Sequence, residues 1–94
     1  MTRSGEPYRA LRFTPTFLEA LAGKDFSAIE RRAFIKALSL LDAHAAHPSL
    51  RVHELRPPLA GIWSASASRS LRMTFVRAEN GLKVMLTCSH HYGD

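Results

Sequence analysis

The sequence predicts an α+β fold in which a pair of antiparallel helices covers one face of an antiparallel sheet. Apolar residues recur at helical spacing up to Pro48, and after Pro48 short apolar or alternating runs are separated by turn residues. A run of helices followed by a run of strands is typical of α+β domains. The expected order of elements is therefore β-α-α-β-β-β-β.

A short strand and a first helix are expected near the start of the chain. Residues 8–13 alternate bulky or apolar with basic side chains, as a strand does. Thr14-Pro15 then marks a helix start, because threonine can cap a free backbone N–H and proline fits the first turn. This helix should end near Gly23, a natural C-cap, and its apolar residues are Phe17, Leu18 and Leu21.

The second helix is predicted by its start signal and its period. Ser27 and Glu30 have the spacing of a capping box, with Phe26 in the position of a hydrophobic staple. The helix should end at Pro48. Its apolar stripe at helical spacing consists of Ile29, Phe34, Ala37, Leu38, Leu41 and Ala45.

Four strands are expected after Pro48. Asn80-Gly81 between two apolar runs is a hairpin signal, because both residues tolerate the positive φ of a tight turn. The predicted strands are 50–55, 62–68, 71–77 and 82–89.

Length and composition indicate one small, basic domain. The 94 residues leave no room for a second core, and we expect residues 1–7 to be a loose end. With 13 Lys and Arg against 8 Asp and Glu, the net charge of +5 fits a polyanion or an acidic protein partner, although it is also compatible with ordinary surface charge. The lone Cys88 excludes an internal disulfide and should be a buried, inert thiol. Because no signal peptide or membrane-spanning stretch is evident, we expect a cytoplasmic protein.

Arg72 is the first candidate for chemistry. Side chains alternate across a sheet, so Leu71, Met73 and Phe75 share one face and Arg72 lies on the other. If the apolar trio packs on the helices, Arg72 occupies the uncovered face, where its guanidinium can bind two phosphate oxygens. The alternative is a solvated arginine without a ligand.

The chain holds five histidines: His44, His47, His53, His90 and His91. His44 and His47 are spaced to chelate a metal, but no HExxH motif, cysteine pair or carboxylate accompanies them, so we expect neither a metal nor another cofactor. Imidazole titrates near neutral pH, which makes His53, His90 and His91 candidates for proton transfer. A lone histidine on a strand such as His53 can equally be a plain surface residue.

Several stretches together resemble the RelE/ParE toxin superfamily, and within it the RelE, StbE and YafQ-like ribonucleases. They are Leu-Arg-Val-His-Glu-Leu at 50–55, Pro-Leu-Ala-Gly-Ile-Trp at 58–63, Ser-Leu-Arg-Met-Thr-Phe at 70–75 and Thr-Cys-Ser-His-His at 87–91. Phe-Thr-Pro-Thr-Phe at 13–17 is similar to the strand-to-helix junction of these proteins. The resemblance covers nearly the whole chain.

The resemblance implies cleavage of mRNA, usually on the ribosome, and neutralisation by a cognate antitoxin protein. No membrane partner is expected, because no segment is long and apolar enough to span a bilayer. Arg72 falls where many members carry an arginine before two apolar residues and an aromatic one. His90 falls on the C-terminal catalytic histidine of YafQ-like members, or His91 does if the register shifts by one. Tyr92 or Asp94 would take the last catalytic place. Pro57 stands where those members have a further histidine, with His53 four residues upstream.

Strand phase bears on the choice between the two final histidines. His90 is in phase with the apolar Leu82, Val84 and Leu86, so in an unbroken strand His91 would face away from the core. A strand that ends near Cys88 would remove this restriction, and both histidines remain candidates.

Four basic residues and one aromatic residue in the second half of the chain are candidates for binding the substrate. Metal-free RNA cleavage needs only His and Arg groups to move protons and to stabilise phosphoryl charge. The alternatives are a ParE-like toxin that inhibits DNA gyrase without catalysis, and an inactive or partner-regulating domain. The substrate-binding candidates are Arg51, Arg69, Arg77, Lys83 and Tyr92.

Overall fold

The computed structural model describes residues 8–91, which form two helices packed on a five-stranded sheet. The strand order is β1-β5-β4-β3-β2, with β1 parallel to β5 and the other pairs antiparallel. The predicted α+β class and order of elements are confirmed, while the expected loose end at 1–7 lies outside the described residues. The elements are β1 (Leu11–Phe13), α1 (Pro15–Ala22), α2 (Ala28–Ala43), β2 (His53–Glu54), β3 (Ile62–Ser68), β4 (Leu71–Arg77) and β5 (Lys83–His90).

Both helices begin where their capping residues predict. The Thr14 hydroxyl accepts from the Phe17 N–H at 3.1 Å. Ser27 and Glu30 form a complete capping box, in which Ser27 Oγ accepts from Glu30 N at 3.1 Å and Glu30 Oε1 accepts from Ser27 N at 2.9 Å. The prediction that Pro48 ends α2 is wrong. The helix ends at Ala43, and the chain then turns through a 3₁₀ segment, Pro48–Leu50.

The helices bury a narrower stripe than their sequence predicts. Phe17 and Phe34 are fully buried, whereas Leu18 and Ile29 are 50% and 74% exposed. A helix turns about 100° per residue, so Ile29 lies about 140° around α2 from Phe34 and misses the sheet. The same rotation carries Leu18 off the buried face of α1, next to Phe17.

The sheet turns its apolar face toward the helices. Leu71, Met73 and Phe75 are buried, as predicted from the alternation of β4. Met73 pairs with Cys88, whose sulfur lies 4.0 Å from the Phe17 carbonyl oxygen of α1. We call this side of the sheet the helix-facing side and the other side, which carries Arg72, the opposite face.

A bulge in β5 changes the phase of its side chains. Thr87 pairs with Thr74 and Met85 with Phe75, which leaves Leu86 without a partner. Met85 and Cys88 are therefore both buried. The predicted core phase of Leu82, Val84 and Leu86 is wrong, because Lys83 and Met85 carry the helix-facing side chains before the bulge. The inserted residue then puts Cys88 and His90 on that same side.

Residues with positive φ mark two turns beside the strands. Asn80 and Gly81 adopt positive φ of 62° and 77° in the hairpin between β4 and β5, as the sequence predicts. The predicted strand 50–55 shrinks to His53–Glu54, because Arg51 adopts a left-handed φ of 48° and ends the extended run. In residues 8–91, neither helix has the length and apolarity that a bilayer crossing requires.

Candidate functional site

A groove of about 940 Å³ separates α2 from the end of the β3–β4 hairpin. One wall is α2, with the small residues Ala33 and Ala37, and the turn before β2 closes one end. The other wall is the end of β3 with the turn that follows it. No acidic side chain lines this groove within the described chain, and its basic side chains are Lys36, Arg51, Arg69 and Arg72. We call it the basic groove.

Local backbone irregularities position the arginines of the basic groove. The left-handed Arg51 follows Leu50, whose side chain is buried and anchors the turn. A register shift between Ser66 and Ser68 bends the end of β3, and Arg69 lies in the hairpin turn that follows. These features aim side chains from separate segments into one space.

Arg72 is held over the hairpin turn. Its Nη1 donates to the carbonyl oxygens of Ser68 at 2.8 Å, Arg69 at 3.1 Å and Leu71 at 3.1 Å. Within residues 8–91 its Nε and Nη2 donors have no hydrogen-bonding partner, and they can serve an anionic ligand. Arg72 therefore belongs both to the sheet, where its backbone lies, and to the basic groove, which its side chain lines.

The two final histidines occupy different environments. His90 is on the helix-facing side, where its Nε2 lies 3.1 Å from Glu30 Oε2 and its ring lies 5.0 Å from that of Phe26. The pKa of Glu30 is lowered by its capping bond with Ser27 and, next, by its bond to His90. His91 N donates to Ser70 O at 2.7 Å, so the strand pairing continues past His90.

Strand alternation relates His91 to Arg72. Arg72 pairs with Ser89, and His91 is two residues further along the same strand. Residues two apart share a face, and diagonal neighbours across paired strands are about 7–8 Å apart. The backbone thus brings His91 to the opposite face beside Arg72.

His53 lies on the opposite face, nearer its β2 edge. It pairs with Ser64, which in turn pairs with Thr74 of β4. Its Nδ1 lies 2.8 Å from the Arg51 carbonyl oxygen. Two strand spacings, about 10 Å, separate its strand from that of Arg72.

Two further predicted substrate-binding residues, Arg77 and Lys83, are not brought to this site. Arg77 lies five residues along β4 from Arg72, about 17 Å away, and its guanidinium stacks 4.3 Å above the Trp63 ring. Lys83 is 6% exposed, so its ammonium is not presented on the surface as a substrate-binding charge would be. Its burial lowers its pKa, Arg77 lowers the pKa further, and Asp42 opposes the shift. Tyr92 and Asp94 lie outside the described residues.

Lys36 is the groove residue that the sequence reasoning missed. Its position on the polar side of α2 predicts only a solvated charge. The sequence signal that could have indicated Lys36 is its position between Ala33 and Ala37, because small side chains on a packed helix leave room for a groove.

The remaining candidates have structural surroundings. Burial raises the pKa of Cys88 to about 11, so its thiol stays protonated at neutral pH. His47 Nδ1 accepts from Ser49 N at 3.2 Å in a 3₁₀ cap, and the His44 ring meets the His47 ring edge-on, with 5.7 Å between the ring centres. The described residues contain no cluster of three or more His, Cys, Asp or Glu side chains suited to a metal ion.

Comparison with known proteins gives matches at the level of structure. No protein-family model and no curated protein matches the sequence. The RelBE2 toxin–antitoxin complex from Mycobacterium tuberculosis matches with 24% identity and a TM-score of 0.71, over 90% of this chain and 99% of that one. The YoeB/ParE toxin from Agrobacterium tumefaciens matches with 15% identity and a TM-score of 0.70, over 87% and 98%. The E. coli DinJ–YafQ toxin–antitoxin complex matches with 12% identity and a TM-score of 0.64, over 90% and 94%.

These matches define the class of fold. The chain has the fold of the RelE, YoeB, YafQ and ParE toxins, so the fold that the sequence resemblance implies is confirmed. The aligned region spans nearly the full length of each matched chain.

Proposed function

We propose that this protein is the toxin of a type II toxin–antitoxin pair and that it cleaves mRNA as a metal-independent endoribonuclease. The fold supports the toxin role, since the matched structures are toxins or toxin–antitoxin complexes. The observation that carries the proposal is Arg72, which lines the basic groove and lies on the face reached by His91.

The proposed reaction is an internal displacement at phosphorus. The 2′-oxygen of a ribose forms a bond to the adjacent phosphorus, and the bond from phosphorus to the 5′-oxygen of the next nucleotide breaks. A base accepts the 2′-hydroxyl proton and an acid donates a proton to the departing 5′-oxygen, leaving a 2′,3′-cyclic phosphate. The Nε and Nη2 donors of Arg72 would stabilise the extra charge on the phosphoryl oxygens.

We assign proton transfer to His91 and a structural role to His90. His91 follows the strand onto the face of Arg72, whereas His90 binds Glu30 on the helix-facing side. His53, further across the opposite face, is the candidate for the second proton-transfer group. Of the predicted substrate-binding residues, Arg51 and Arg69 are proposed to bind RNA phosphates in the basic groove, and Arg77 and Lys83 are not.

The proposed partners follow from the same comparison. RelBE2 and DinJ–YafQ were solved as complexes with antitoxins, and we propose that a cognate antitoxin binds this chain. Its substrate would be mRNA on the ribosome, which places its action in the cytoplasm. The net charge of +5 suits both an acidic antitoxin segment and RNA.

Cleavage of RNA by the purified protein in EDTA tests the activity. We expect products with 2′,3′-cyclic phosphate ends, either from free mRNA or from mRNA on ribosomes. His91→Ala should lower the rate by about 10²–10⁴, the usual contribution of a general acid or base. His44→Ala is the matched control, because it removes a histidine that lies beside His47 and does not line the basic groove. Inhibition of gyrase without RNA cleavage would contradict the nuclease proposal and favour a ParE-like toxin.

A further inference from the structure

We infer that Glu30 and His90 form a positioning pair, which holds the end of β5 against the start of α2 and thereby sets where His91 lies on the opposite face. Glu30 and His90 are then positioning residues for the proposed reaction, because they act through His91. The role of His91 in that reaction rests on the proposed function. The positioning itself rests on the geometry of the pair.

The second half of β5 is paired along one edge. β4 pairs with β5 as far as His90, whereas β1 pairs only with residues 83–85. From Thr87 onward, within residues 8–91, the second edge of β5 has no strand partner. The ends of elements open locally at little cost in free energy, so the position of the last residues of β5 depends on what their side chains contact.

The bond between His90 and Glu30 supplies such a contact. His90 pairs with the buried Leu71 and so lies on the helix-facing side. The pKa of Glu30 is lowered by its bond with Ser27 and, next, by its bond to His90, so the carboxylate is ionised at neutral pH. An ionised carboxylate only accepts, and His90 Nε2–H therefore donates to Glu30 Oε2 at 3.1 Å. The two side chains are 25% and 31% exposed, so water competes only partly with this bond.

The partners of His90 are themselves fixed. Glu30 Oε1 accepts from Ser27 N at 2.9 Å, which leaves the second carboxylate oxygen directed at His90. Phe26 is 5% exposed, and its ring meets that of Phe34 edge-on with 4.9 Å between their centres. The His90 ring lies 5.0 Å from Phe26. The start of α2 thus forms a rigid seat for a residue 60 positions further along the chain.

The pair acts on His91 through a single peptide bond. The His91 N–H donates to Ser70 O at 2.7 Å, so the extended backbone continues beyond His90. Proton transfer needs the imidazole within hydrogen-bonding distance of the reacting oxygen, and a misplacement of about 1 Å can lower a rate by about 10². Loss of the pair should therefore lower kcat. KM should stay unchanged, because the residues proposed to bind phosphates lie in the basic groove.

Two variants of His90 separate its hydrogen bond from its ring. His90→Phe keeps a ring against Phe26 but cannot donate to Glu30, whereas His90→Gln places an amide N–H near the position of Nε2. We expect His90→Phe to lower kcat for RNA cleavage by about tenfold to a hundredfold, and His90→Gln to retain most of the rate. Ser27→Ala is the matched control. It removes the hydroxyl that caps α2 but leaves both Glu30 oxygens with their partners, so it should lower the Tm and not kcat.

Exchange of the His91 amide proton, followed by NMR, tests the positioning without any activity. This N–H donates to Ser70, so its exchange with solvent reports opening of the end of β5. His90→Phe should accelerate the exchange by about tenfold, the effect of one hydrogen bond to a charged group. His90→Gln and Ser27→Ala should leave it close to the wild-type rate.

The outcomes separate the inference from the proposed function. A wild-type kcat and a wild-type exchange rate in His90→Phe would overturn the inference. Equal loss of cleavage in His90→Phe and His90→Gln would also contradict it, because His90 itself would then transfer the proton. If the wild-type protein cleaves no RNA, the nuclease proposal fails, and the exchange rates alone decide whether Glu30 and His90 hold the end of β5.

Discussion

Replacement of Arg72 should affect both stability and catalysis, and the structure separates the two effects. The Nη1 atom of Arg72 is shared among three carbonyl oxygens of the β3–β4 hairpin. The side chain is half-buried, so we treat this shared contact as one charged hydrogen bond at the lower end of its range, about 1.5 kcal/mol. In a domain of this size, 1 kcal/mol shifts the Tm by about 4–8 °C. Arg72→Ala should therefore lower the Tm by about 6–12 °C.

The catalytic effect should be larger than the loss of stability explains. Removal of one donor that stabilises transition-state charge usually costs a factor of about 10²–10³ in rate. Arg72→Lys keeps the charge, but an ammonium cannot bridge the three carbonyls and also present a planar fork to phosphate. We expect Arg72→Lys to recover little of the rate when cleavage is measured well below the Tm of each variant.

Arg69→Ala is the matched control for both measurements. Arg69 lies in the turn that Arg72 contacts and lines the same groove, but its side chain makes no hydrogen bond within the described residues. Its Tm should stay close to that of the wild type while RNA binding weakens. If Arg72→Ala unfolds at the wild-type temperature, the carbonyl contacts contribute nothing to stability. If it cleaves RNA at the wild-type rate, Arg72 is not part of the chemistry.

Three further predictions concern buried or paired groups. The folded-state pKa of Glu30 is lowered from 4.5, so its contribution to stability is present above about pH 4.5 and is lost as the pH falls through the lowered value. Urea unfolding should show that Glu30→Gln loses stability at pH 7 and not at pH 3, with Glu19→Gln unchanged. The lowered pKa of Lys83 means that folding disfavours its charge, so the free energy of unfolding should rise as the pH increases toward 10.5. Lys83→Met should abolish this rise. A large loss of stability in Lys83→Met at pH 7 would instead show that the attraction of Lys83 to Asp42 dominates. Cys88 should resist alkylation at pH 8 until the protein is denatured, and rapid labelling of the native protein would contradict its burial.

Local signals in the sequence predict most of the elements. The caps at Thr14 and Ser27 satisfy N–H groups within three residues, so their effect can be read without the rest of the fold. β3 and β4 have the predicted bounds, because their apolar runs end at clear turn residues. The bulge at Leu86 was not predictable in this way, since it depends on which residue of β4 pairs with which residue of β5.

The candidate site was only partly predictable for a related reason. Arg72 follows from strand alternation alone. Lys36 and Arg51 join it through the packing of α2 and through a left-handed residue, neither of which has a period in the sequence. Lys83 shows the opposite error, because a charged residue beside a hairpin suggests exposure, whereas the pairing of β5 with β1 buries it.

The bond between His90 and Glu30 links the fold to the proposed chemistry. One oxygen of Glu30 accepts from Ser27 N at 2.9 Å at the start of α2, and the other lies 3.1 Å from His90 at the end of β5. A single carboxylate thus ties the helix that carries Lys36 to the strand that leads to His91. Because adjacent residues of a strand point to opposite sides, fixing His90 against the helix also fixes the direction in which His91 leaves the sheet. The same contact that stabilises the helix start therefore sets the position of the proposed acid–base group relative to Arg72.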